Sequence, residues 1–205
     1  MQKPFVTAIS GTSGAGKSTT VKLLLSKVQP ASALFFDDYE TEETYPQDLA
    51  EWLAQDADPN ALKAPQMTED LINLRKNVAV THVTTGEKLA PAPIILLEEP
   101  LGNLRDVMRG LIDFVVYIDL PLEIAFARRI SRTLGQFPEH MTKADVVENL
   151  QMFVGWYQET GRDLYHILDK NTKAKADLLV DGLQTADEIV YQIISAVTAK
   201  INSIA

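Results

Sequence analysis

The side chains able to do chemistry in this 205-residue chain gather in four short stretches. The first is "GTSGAGKSTT", residues 11–20, directly after the apolar "FVTAIS"; "DDYE" follows at 37–40, "EE" at 98–99 and "ARRISR" at 127–132. Gly11, Gly16, Lys17 and Ser18 meet the spacing G-x-x-x-x-G-K-[ST]. Glycines in that pattern let the backbone turn so that consecutive N–H groups converge on phosphate oxygens. The lysine bridges β- and γ-phosphates, and the hydroxyl ligates Mg²⁺. A helix starting near Ser18 adds its positive end. From average residue usage, the pattern arises by chance in roughly one chain in a hundred of this length. A strand before it and a helix after it make chance rarer still. The expected nucleotide cradle is Gly11, Ser13, Gly14, Ala15, Gly16, Lys17, Ser18 and Thr19. The loop alone does not separate kinases from GTPases and motor ATPases.

The acids come next. Asp37 and Asp38 follow the apolar run Ala33–Phe36. In a doubly wound sheet, ligands sit beyond the carboxyl ends of the strands. A carboxylate there accepts a substrate hydroxyl proton or holds a Mg²⁺ water. An isolated Asp-Asp is more often a solvated loop, but one strand beyond a phosphate loop it reads as functional. Tyr39 and Tyr45 flank this acidic loop, where they either stack on a substrate or pack. Glu98 directly follows the apolar "PIILL", which suits a carboxylate acting on Mg²⁺ or its water; Ser18 and Glu98 are the expected metal ligands. Arg128 and Arg132 are four apart and share a helix face, with Arg129 beside them. Three arginines in five residues of an acidic chain point to an anionic target. Guanidinium groups neutralise charge on a transferring phosphoryl group, so Arg128 and Arg132 join Lys17 and Asp37 as the expected catalytic set. Arg129 joins Asp37, Asp38, Tyr39 and Tyr45 as expected acceptor contacts. "TLGQFPEH" then reads as a loop suited to a mobile lid. His82, His140 and His166 are scattered without metal-ligand spacing, and Trp52 and Trp156 sit in amphipathic helices where core packing is the expectation.

Elements of a particular kind are needed to position these groups. Short apolar runs at Phe5–Ile9, Ala33–Phe36, Ile94–Leu97, Phe114–Ile118 and Leu178–Val180 mostly lack alternation, as strands covered on both faces do. Helical patterns lie between them at Ser18–Lys27, Asp48–Gln55, Thr68–Lys76, Leu122–Leu134, Lys143–Leu168 and Ala186–Ile201. Such alternation implies crossovers and a mostly parallel sheet. Val78–Leu89 alternates around "TTGE" and predicts a small hairpin or flap. The length, with 46% apolar residues, suits one α/β domain over 1–205, with a substrate-region insertion at about 40–90 and a lid at about 128–145. A net charge of −9 argues against a nucleic-acid binder. The absence of cysteine excludes disulfides, thiolate metal sites and a cysteine nucleophile. "MQKPFVTAIS" is too short in its apolar part for a signal peptide, and no run is long enough to span a membrane. A cytoplasmic location is expected, as a monomer or homodimer.

Taken in order, "GTSGAGKST", "FFDDYE", "IILLEEP", "ARRISR" and "KADLLVDG" resemble the uridine kinase-like group of P-loop kinases. That group includes uridine, nicotinamide riboside and pantothenate kinases and phosphoribulokinase. The resemblance implies a three-layer α/β/α fold with a five-stranded parallel sheet and a small helical lid bearing arginines. It implies ATP and Mg²⁺ as cofactors, Asp37 as general base, Glu98 as the acid after the third strand, and adenine near Ala176–Val180. The chain departs from the pattern at Glu99-Pro100, where the family has Gly after its Glu, and at "DDYE", where it has an aromatic pair. Glu40–Leu89 carries no recognisable nucleoside signature. The reading is transfer of a γ-phosphate to a hydroxyl of a small nucleoside-like acceptor. A nucleoside monophosphate kinase and a regulatory ATPase without an acceptor are the alternatives; no N-K-x-D motif supports a GTPase switch.

Overall fold

The computed structural model describes residues 3–135, 137, 138 and 141–204. Of the expected lid loop, Gln136, Glu139 and His140 lie outside the described residues.

The N-terminal strand β1 (Phe5–Ser10) is buried at every position, because it is central and covered on both faces. Its side chains alternate: Phe5 and Ile9 enter one core, Val6 and Ala8 the other. The chain then turns into α1 (Lys17–Lys27) and returns through β2 (Ala31–Leu34). After α2 (Leu49–Ala54) and α3 (Pro65–Arg75) comes the antiparallel hairpin of β3 (Val80–Thr81) and β4 (Lys88–Leu89). The expected flap is therefore present. Strands β5 (Ile94–Glu98), β6 (Phe114–Asp119) and β7 (Leu178–Asp181) complete a five-stranded sheet in the order β2-β5-β1-β6-β7, with all pairs parallel.

Helix α4 (Leu122–Leu134) follows β6, and α7 (Ala186–Ile204) follows β7. On one face of the sheet, Val21 and Leu24 of α1 and Val190 and Ile193 of α7 pack against Ile9, Val116 and Ile118. On the other, Met67, Leu71 and Leu74 of α3 pack against Val6, Ala8, Ile95 and Leu97. This is the three-layer α/β/α architecture the sequence predicts.

One helix differs from expectation. The run predicted over Lys143–Leu168 is α5 (Lys143–Trp156), a π-helical turn at Tyr157–Gly161, and α6 (Arg162–Lys173). Thr142 and Asp145 cap α5 reciprocally through both side chains. The π-turn admits an extra residue, which rotates α6 relative to α5. Among the described residues, no helix is long and apolar enough to cross a membrane.

Candidate active site

Every chemically capable stretch leaves the carboxyl edge of the sheet, where the strand tips open onto a cleft. The loop after β1 carries the glycine-rich turn. Gly14, at φ +95°, lies so close to α4 that a Cβ there would stand 2.5 Å from the Ala125 carbonyl oxygen. Only glycine lets the loop lie against the helix that carries the arginines. Gly16 caps α1 without any side-chain hydrogen bond, so no side chain of the cap occupies the amides of its first turn. Lys17 reaches the Thr12 carbonyl at 3.3 Å. Burial lowers its pKa, against the opposing fields of Glu98, Asp37 and Asp169.

Ser18 Oγ donates to Glu98 Oε1 at 2.9 Å, while Glu98 Oε2 is buried with no partner. An orphaned carboxylate oxygen beside a hydroxyl at a phosphate loop fits a Mg²⁺ ion or its water. Burial raises the Glu98 pKa. Among the described residues, no cluster of three acids or histidines could hold a metal unaided. Mg²⁺ needs none, since one or two protein oxygens with phosphates and water suffice. Glu99 has a different task. It is fully buried, pairs with the equally buried Arg105, and accepts from the Leu101 amide at 3.4 Å. The family departure at Glu99 is thus a structural ion pair beneath the cleft.

The acidic pair divides in the same way. Asp37 lines the cleft; Asp38 points toward the hairpin, where Thr84 Oγ1 donates to it at 3.2 Å and His82 Nε2 lies 3.4 Å away. Asp38, expected among the acceptor contacts, instead tethers the flap. His82 thus has Asp38 as its partner. Tyr39 is also corrected: it is buried in the core and donates to Asp70 at 2.8 Å, outside the cleft. Tyr45 does line the cleft, donating to Glu40.

On α4, Arg128 donates to the Gly182 carbonyl at 3.3 Å and Arg129 to the Tyr165 hydroxyl. The Arg129 guanidinium also lies 4.6 Å from the Phe153 ring centroid. His166 is exposed.

The cleft comprises two cavities. One, of about 360 Å³, runs along residues 13–20 to Arg128, Gly182 and Gln184. The other, of about 420 Å³, is walled by Phe36, Tyr45, Trp52, Trp156 and Tyr165, with Glu40 and Asp169 among its acids. Ser13, Lys17, Asp37, Arg129 and Arg132 line both.

No protein-family model matches the chain. A uridine kinase of Borrelia duttonii is 28% identical over 197 residues, covering 91% of this chain and 90% of its own. One from Ligilactobacillus salivarius is 25% identical over 192 residues, covering 87% and 85%. Over about nine-tenths of its length the chain is similar to uridine kinases. Among solved structures, the possible uridine kinase of Bacillus stearothermophilus shares the fold at a TM-score of 0.54 with 17% identity, covering 88% of this kinase and 90% of its own chain.

Several cleft residues of the kinase escape a reading of the sequence. Leu164, Tyr165, Leu168, Asp169 and Thr172 form one face of α6. An acid within an otherwise apolar stripe was the available signal for Asp169. Its carboxyl is pushed up to about 6 by burial, against a hydrogen bond from Tyr117. Trp156 was expected in the core, yet it lines the larger cavity, and its indole N–H is buried without a partner. Its position depends on Gly161, where a Cβ would lie 2.7 Å from the indole ring. Trp52 does pack with Ala57 and Leu164, and donates to the Asp58 carbonyl at 2.9 Å, while one part of it faces the cavity.

Proposed function

We propose that this kinase transfers the γ-phosphate of ATP, with Mg²⁺, to a hydroxyl of a small nucleoside-like metabolite in the cytoplasm, the whole chain acting as one catalytic unit. The observation that carries the reading is the junction of the two cavities at Lys17, Asp37, Arg129 and Arg132. A triphosphate seated on the glycine-rich loop would present its terminal phosphate at that junction. An acceptor in the larger cavity would present its hydroxyl to the same point, so that positioning does much of the catalytic work.

In this reading Asp37 takes the hydroxyl proton as the acceptor oxygen attacks phosphorus. Lys17 holds the β- and γ-phosphates, and Arg128, Arg129 and Arg132 stabilise charge as it shifts to the leaving group. Ser18 and Glu98 hold Mg²⁺. Bound there, the ion screens the phosphate charge and fixes the phosphate geometry. The segment from Arg128 to about residue 145 is the lid that excludes water once both sites are filled.

The larger cavity favours an acceptor enzyme over a regulatory ATPase, because its volume and aromatic walls suit a small ringed ligand. The test is ADP formation with ATP over a panel of nucleosides, nucleotides, pantothenate and sugar phosphates. One unphosphorylated hydroxyl compound should raise turnover strongly. A protein partner that stimulates turnover when no small acceptor does would overturn the reading.

A further inference from the structure

We propose that Phe153 and Tyr165 are positioning residues for phosphoryl transfer: they form a neutral aromatic seat that aims the Arg129 guanidinium at the phosphate without cancelling its charge. This rests on the kinase reading above and adds to it two residues that act through an arginine. Arg129 lines both cavities at their junction. Its stem packs on the glycine-rich loop, where a Cβ on Gly14 would stand 3.2 Å from Arg129 Cγ. Its head is met by two helices at once. The guanidinium carbon lies 4.6 Å from the ring centroid of Phe153 on α5 and 5.6 Å from that of Tyr165 on α6. Nη1 also donates to the Tyr165 hydroxyl oxygen. A ring face attracts a guanidinium through its quadrupole. Among the described residues, no other arginine of α4 rests on a ring, and Arg129 takes part in none of the ion pairs.

A carboxylate partner would fix the arginine equally well, but it would cancel the charge that has to act on the transferring phosphoryl group. Two ring faces and one phenol oxygen restrict the side chain and leave it cationic, with most of its N–H donors unused. Burial pushes the Tyr165 hydroxyl up, against the field of Arg129, so it stays protonated and neutral. The seat is itself braced. Phe153 stacks on Phe126 at 5.4 Å and 22°, and Phe126 lies three residues before Arg129 on α4. Trp156 meets Tyr165 edge to face at 6.0 Å and 87°. An arginine seated in this way is oriented before the reaction begins, whereas a loose one would have to be ordered during it. Phe153 lines neither cavity, so any effect it has on turnover reaches the phosphate through Arg129.

Two measurements on the full chain test this. The first is nitrogen–proton NMR of the arginine side chains, with the Arg129 Nε–H signal identified by its loss in Arg129→Lys. A guanidinium held on a ring face gives a signal displaced by the ring current. It should move when a non-hydrolysable ATP analogue binds, change in Tyr165→Phe, and return to the ordinary arginine position in Phe153→Leu. The second is kcat for ADP formation from Mg²⁺-ATP, with uridine as acceptor and, separately, with each other compound of the panel above. Tyr165→Phe and Phe153→Leu should each lower kcat about fivefold, with the Kd of the ATP analogue within about twofold of native. Tyr165→Phe keeps the ring and removes only the hydroxyl, so it tests the seat even if Phe153→Leu unfolds. Phe153→Tyr, which keeps a ring face, should recover most of the native rate. In an Arg129→Ala background neither substitution should lower kcat further, because both act through the arginine. Equal losses with and without Arg129, or an Arg129 signal indifferent to both substitutions, overturn the inference and leave the kinase reading standing. An Arg129 signal that behaves as expected, in a protein that forms no ADP with any compound of the panel, overturns the kinase reading and the catalytic role of the seat with it.

Discussion

Replacing Asp169 by Asn should make the protein more stable, by an amount that depends on pH. The carboxyl is pushed from its ordinary 3.8 up to about 6, chiefly because burial disfavours its charge. That difference corresponds to about 3 kcal/mol between the ionised and neutral forms. Below about pH 4 the group is protonated in both folded and unfolded chains, and burial costs nothing extra. Between about 4 and 6 the unfolded chain loses the proton while the folded chain retains it. Above about 6 both are ionised and the folded state bears the full desolvation cost. Asparagine never ionises, and its amide oxygen can still accept from Tyr117. Asp169→Asn should therefore raise the melting temperature by roughly 5–10 °C at pH 8, with a gain that shrinks toward zero near pH 4. Differential scanning calorimetry of both proteins between pH 4 and 8 checks this. An equal gain at both ends of the range, or a loss of stability at pH 8, would refute the burial argument.

Lys17→Ala should abolish phosphoryl transfer while leaving the circular dichroism spectrum unchanged, because the side chain faces the phosphate cavity; near-normal turnover in a folded variant would contradict its role. Glu99→Gln should destabilise the protein by about 3–5 kcal/mol in urea titration, since it leaves buried Arg105 without its counter-charge. A joint Glu99→Leu, Arg105→Met variant should recover much of that loss. Gly161→Ala forces the Trp156 ring to move, so it should change tryptophan fluorescence and raise the acceptor KM with kcat less affected.

The parts of this molecule set by local spacing were legible in the chain. Strands buried on both faces, the glycine-rich loop, the acids at strand tips and the arginine helix all depend on residues close in sequence. The features that were not legible depend on partners far along the chain. Tyr39 and Tyr45 look equivalent beside the acidic loop, but Asp70 on α3 draws Tyr39 into the core and leaves Tyr45 at the cleft. Glu98 ends β5 and bonds Ser18, whereas Glu99, just past the strand, is paired with Arg105, which only the fold supplies. Likewise Asp38 differs from Asp37 through the hairpin carrying His82 and Thr84, some forty-five residues later. Trp156 and Asp169 needed the π-turn, which no periodicity announced.

The most direct test of the central claim is acceptor-dependent ADP formation by the native protein and by Asp37→Asn, at saturating ATP and Mg²⁺. The account predicts that the right hydroxyl acceptor raises ADP formation at least tenfold, with one phosphorylated acceptor per ADP. It predicts that Asp37→Asn lowers this rate by roughly 10²-fold while the ATP analogue still binds with near-native affinity. ADP formation indifferent to every acceptor, or unchanged in Asp37→Asn, would contradict it.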